Sequence, residues 1–145
     1  MNLVYFDNLD EVISLYSKTI DLSGGGLKGI IDTGPLESIL HHIQNDDYYP
    51  EFTDKLTHLF FEVNKSHCFQ DGNKRISITL GSMFLLKNGY LAVVKEFLFK
   101  METISYHVAA GRISKPLLKE IITSIIHEED YSEELKLKLL NSIAK

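Results

Sequence analysis

"NKRISITLGSMFLLK", residues 73–87, decides the fold. Ile76, Ile78, Leu80, Met83, Phe84, Leu85 and Leu86 go most of the way around a helix of 3.6-residue period. Ser77, Thr79, Gly81 and Ser82 fill the gaps with small side chains. A helix that is apolar or small all round is buried, with neighbours packed closely against it. "KNG" at 87–89 ends it, with a cation in the last turn and a glycine after. The segment is therefore read as a central buried helix over about 73–87.

The flanking sequence repeats the helical pattern. Asn8 with Glu11 has the spacing of a capping box, and Leu9, Val12, Ile13, Tyr16 and Ile20 follow at helical spacing. Pro35 suits a first helical turn before Leu36, Ile39, Leu40 and Ile43. Phe52, Leu56, Leu59, Phe60 and Val63 form the stripe of a third helix. "YLAVV", 90–94, reads as briefly extended, and a fifth helix carries Phe97, Met101, Ile104 and Val108. Ser114 with Pro116 opens a sixth, and Ser132 opens a seventh. "SGGGLKG", 23–29, reads as a loop. "QNDDYYPEFT", 44–53, interrupts the helices as either an exposed flap or an ordinary turn. Strand-like alternation is almost absent, so the expected fold class is all-α, as one domain over 1–145.

Composition bounds the function. The 145 residues suffice for a real core, and 44% are hydrophobic and 24% charged, as in ordinary soluble domains. Fifteen Lys and Arg against 20 Asp and Glu leave a net charge of −5, which argues against direct nucleic-acid binding. The single cysteine, Cys68, allows no internal disulfide. The acidic start "MNLVYFDNLDEV" does not read as a signal peptide, and no apolar run is long enough to span a membrane. A cytoplasmic protein with no membrane partner is the expectation.

The polar stretch at the mouth of the buried helix carries the chemistry. "HCFQDGNKR", 67–75, places an imidazole, an acid, a glycine, an amide and two cations before it. A helix N-terminus exposes N–H groups and partial positive charge, and can bind an anion. Gly72 lets the backbone approach a ligand closely. Asn73 can cap the helix or hold a phosphate oxygen. Lys74 and Arg75 add positive charge, and arginine grips phosphate in parallel hydrogen bonds. Asp71 beside a phosphate makes sense if Mg²⁺ lies between them; otherwise it is an ordinary acid at a helix start. His67 can take the proton from an attacking hydroxyl. Phe69 is expected to point inward and anchor the loop. Together these residues suggest a Mg²⁺-nucleotide phosphate cradle with a general base, suited to phosphoryl or nucleotidyl transfer.

Two other readings are weaker. Cys68 beside His67 invites a thiol nucleophile, but neighbours on a loop usually point apart. His41, His42 and His58 lack a partner cluster at ligand spacing and are read as surface or packing residues.

"HCFQDGNKR" closely resembles the signature loop of the Fic/Doc family, His-x-Phe-x-Asp/Glu-Gly-Asn-Gly/Lys-Arg. "GGLKGIIDTGPLESIL", 25–40, and "FLLKNGY", 84–90, are similar to family segments too, so the likeness covers roughly 5–127. Lys74, where AMP-transferring Fic enzymes have glycine, resembles the death-on-curing (Doc) branch. Gly72 resembles Fic instead, since Doc has alanine there. The resemblance implies an all-α fold, His67 as base and Asp71 as the Mg²⁺ ligand. It also implies Gly72, Asn73, Lys74 and Arg75 as nucleotide-phosphate contacts, with ATP as co-substrate. Doc toxins transfer the γ-phosphate of ATP to a hydroxyl of elongation factor Tu and are restrained by a separate antitoxin. AMP transfer and a non-catalytic binding module are the alternatives. Fic proteins often carry an inhibitory Ser/Thr-x-x-x-Glu-Gly/Asn helix. "TGPLES", 33–38, and "SIIHEE", 124–129, match only its first part, so inhibition is expected from a second chain.

Overall fold

The computed structural model describes residues 2–22, 29–30, 32–69 and 72–144. Seven α-helices occur among them: α1 Leu9–Leu22, α2 Gly34–His42, α3 Phe52–Ser66, α4 Asn73–Lys87, α5 Leu91–Ala109, α6 Lys115–His127 and α7 Glu133–Ile143. The described residues hold no strand beyond one isolated bridge, so the protein is all-α.

The central helix is α4, packed against α1, α3 and α5. Ile76, Leu80, Phe84 and Leu85 are buried in the core. Gly81 explains how close the neighbours come: a Cβ there would stand 2.9 Å from the Phe97 ring of α5. The hydroxyls of Thr19 in α1 and Thr79 in α4 share a hydrogen bond at 3.2 Å. The cover is not complete, since Leu86 is exposed.

Helix starts follow from local chemistry. The Asn8 side chain accepts from the Glu11 N–H, and Glu11 in turn accepts from the Asp7 N–H. Ser114 and Ser132 cap α6 and α7 through the N–H groups of Leu117 and Leu135. An unforeseen capping box, Glu51 with Asp54, starts α3.

Two segments needed the structure. Residues 91–94 are helical, so the extended reading of 90–94 is corrected there. After Gly89 at φ 85° the Tyr90 N–H bonds Leu85 O, and α5 begins at once. Val93 and Val94 pack against the core, and that packing overrides their β-branched preference. Residues 44–51 turn into α3 without forming a hairpin of their own, and Phe52 and Thr53 already belong to α3. Asn45 accepts from the N–H groups of Asp47 and Tyr48. Lys55, fully buried, donates to Ile43 O at 2.6 Å and pairs with Asp46.

Candidate active site

The loop between α3 and α4 is held from three sides. His67 ends α3 in the left-handed region, at φ 52° and ψ 33°, and is exposed. That reversal turns the chain so that Cys68 and Phe69 go inward and are buried. The Phe69 ring stacks on Tyr16 of α1, with centroids 3.9 Å apart and an interplanar angle of 18°. Such a contact adds to the hydrophobic gain of burying the ring. From the second side, Asn73 grips the Phe69 backbone: its amide donates to Phe69 O at 2.9 Å and accepts from Phe69 N–H at 3.3 Å. The third hold is the chain before α2. Ile30 forms an antiparallel bridge with Phe69, and the Asp32 N–H bonds Cys68 O.

On the far side of the loop, Gly72 caps α4 at φ 80° and ψ 17°. A Cβ at this position would lie 2.6 Å from Ile20 Cδ1, a side chain with no exposure. Glycine therefore has a local structural reason here, independent of any ligand. The N-cap residue itself, Gly72, has no side chain with which to cap α4. The first N–H groups of a helix and the positive end of its dipole lie at this turn. Lys74 is exposed on the first turn, and Arg75 reaches back so that Nη2 lies 3.4 Å from where a Gly72 Cβ would be.

The structure thus brings His67, Phe69, Gly72, Asn73, Lys74 and Arg75 into one short span around the N-terminus of α4. Asn73 differs in detail from a phosphate ligand, because its amide group is engaged by the Phe69 backbone. Asp71 lies outside the described residues. Among the described residues no group of three His, Cys, Asp or Glu could hold a metal. Mg²⁺ does not require one, since it typically takes one or two carboxylates with water and substrate phosphates. An α4 N-terminus that opens on a glycine suits those phosphates.

Of the two partial inhibitory motifs read in the sequence, Glu37 is exposed and borders a groove with the start of α1, while Glu128 borders α7. Cys68 is buried and is not presented as a nucleophile. Sequence reasoning missed Tyr16, Ile30 and Asp32 as supports of the loop. Tyr16 was visible only as a member of the α1 apolar stripe, and backbone pairing at Ile30 leaves no side-chain signal. No helix among the described residues is long and apolar enough to cross a membrane.

A model described as the Fic/DOC family matches residues 5–85, a span that contains the whole loop. The chain is also 34% identical over 88 residues to "Protein kinase doc" of Escherichia phage P1. That match takes in 55% of this chain and 65% of the relative, so it spans somewhat less than two thirds of the relative's length.

Proposed function

From the premise that this chain belongs to the Fic/DOC family, we propose that it is a Doc-like protein kinase toxin. It acts as one domain over 1–145 in the cytoplasm and transfers the γ-phosphate of ATP to a Ser or Thr hydroxyl of a target such as elongation factor Tu. A separate antitoxin chain restrains it. The observation that carries this reading is Lys74, set directly before Arg75 on an α4 N-terminus whose cap is a glycine. The likeness to a relative named as a protein kinase supports it.

The residues take complementary roles. His67, exposed at the end of α3, accepts the proton of the acceptor hydroxyl as it attacks. The α4 N–H groups, Lys74 and Arg75 stabilise charge on the transferred group. Asn73 acts on this reading chiefly by fixing the loop, and Phe69 by anchoring it. Asp71 is the residue for Mg²⁺, which when bound would neutralise charge on the nucleotide phosphates.

AMP transfer is the second reading, favoured by Gly72. Its weight is reduced because φ 80° and the nearness of Ile20 already call for glycine. The test is label transfer to proteins of a bacterial lysate with Mg²⁺, using ATP labelled at either the γ- or the α-phosphate. Label from γ alone is expected. Label from α would establish AMP transfer instead. No label from either, with the antitoxin absent, would favour a non-catalytic binding module.

A further inference from the structure

A second polar cluster lies where α2, α3 and α6 meet. The His58 ring is buried and contacted at both nitrogens. Lys115 Nζ stands 2.7 Å from Nδ1, and His42 Nδ1 stands 3.3 Å from Nε2. Lys115 also donates to Glu62 at 3.1 Å. The Tyr49 ring covers His58, with centroids 4.4 Å apart.

The tautomers follow from donor inventory. An ammonium has no acceptor, so His58 Nδ1 must accept from Lys115. The His58 hydrogen then sits on Nε2 and is donated to His42 Nδ1. That leaves the His42 hydrogen on Nε2. Burial and the Lys115 charge push the His58 pKa down to about 4, so the neutral ring this pattern needs is the one present at pH 7. Donation therefore runs outward from Lys115 and ends in an N–H of the exposed His42 ring.

That end borders a cavity of about 550 Å³. Ser38, Ser66 and Lys65 add donors to its wall, and Pro35 and Ile39 add apolar surface. Two ammonium groups, Lys65 and Lys115, face one carboxylate, Glu62, in the lining. The balance is one positive charge, which suits a monoanion with an apolar stem better than a phosphate dianion. The cavity also adjoins the loop: Ser66 immediately precedes His67, and Pro35 follows Asp32, whose N–H holds Cys68 O.

Resting on the transferase reading above, we infer that this cavity is the subsite for an acidic side chain of the protein substrate, a Glu or Asp flanking the acceptor hydroxyl. Its carboxylate accepts from His42 Nε2–H and Lys65, and its methylene stem lies on Pro35 and Ile39.

The test is a titration of the full chain, labelled with ¹⁵N-histidine, with N-acetyl-glutamate amide. N-acetyl-glutamine amide, inorganic phosphate and AMP serve as separate arms. The His42 and His58 nitrogen signals are expected to move saturably with the glutamate compound and not with the glutamine one. His42→Ala and Lys65→Met should each weaken binding by about tenfold, the effect of losing one charge-assisted hydrogen bond. Tighter binding of phosphate or AMP would overturn the inference and assign the cavity to nucleotide. No movement with any probe would also overturn it, as would a His42 ring protonated on Nδ1 in the free protein. No transfer step enters this titration, so it is independent of the transferase reading. Label transfer without carboxylate binding removes the subsite alone, and carboxylate binding without label transfer removes the kinase alone.

Discussion

The two ends of α4 are built from similar residues and do different work. Each has a glycine at positive φ, Gly72 at 80° and Gly89 at 85°, with an asparagine and a lysine beside it. At the C-terminal end these polar groups are used within the chain. Asn88 accepts from Val4 N–H and donates to Val4 O and Phe84 O. Lys87 pairs with Glu11 at 3.2 Å. They tie the N-terminal segment to the core. At the N-terminal end Asn73 is likewise turned inward, onto Phe69, but Lys74 and His67 are exposed. The glycines differ as well: a Cβ at 89 would meet nothing within 4 Å, whereas one at 72 would press on Ile20. Density of polar residues at a helix end therefore does not mark a site. On the proposed function, what marks it is that the asparagine secures a loop whose imidazole and ammonium are exposed.

The largest expected effect separates the ends by activity. His67→Asn keeps a residue that tolerates the left-handed region, so folding should change little, while label transfer should fall by about 10²–10⁴-fold, the usual span for a lost general base. Transfer within a few-fold of wild type would remove His67 from the chemistry. Next, Asn88→Ala should lower unfolding free energy in urea by roughly 1–3 kcal/mol through three lost hydrogen bonds, with transfer unchanged. Asn73→Ala should cost a comparable ~1–3 kcal/mol but also reduce transfer, because the loop loses both holds on Phe69. If the two variants lowered transfer equally, the distinction between the ends would fail. At the small end of the scale, Lys87→Ala should cost less than about 1 kcal/mol, and the loss should shrink further in high salt.

The His58 cluster sharpens the comparison as polar density that carries a charge-dependent signature. His58 has a folded pKa of about 4, below its ordinary 6.5, because burial and Lys115 disfavour its charged form. Between those values the unfolded chain binds more protons, so stability rises with pH across this window and falls as pH drops from 6.5 toward 4. The difference should reach roughly 2–3 kcal/mol. His58→Gln should flatten this slope; an unchanged slope would place its origin elsewhere.

Much of the fold was legible because the signals were local. The Asn8–Glu11, Ser114 and Ser132 caps announce helices directly, and the all-round apolar and small pattern of 73–87 announces burial. "YLAVV" misled because its β-branched residues read as strand while packing holds them in α5. The anchoring of the 44–51 turn was not legible, since Lys55, which secures it, reads in sequence as an ordinary surface cation. In the candidate site, residue types and spacing were legible, and the resemblance ordered them. The inward role of Asn73 was not, because capping a helix and gripping a loop use the same amide. Nor was the meeting of His42, His58 and Lys115, which lie on three separate helices with no shared period.

On the proposed function, the N-terminal end of α4 holds the nucleotide phosphates. The most direct test maps backbone amide shifts of the ¹⁵N-labelled chain on addition of Mg²⁺ and a non-hydrolysable ATP analogue. Saturable shifts are expected, concentrated at residues 67–76, with residues 86–90 unmoved. Shifts centred on the C-terminal end of α4, or none near Gly72, would contradict it.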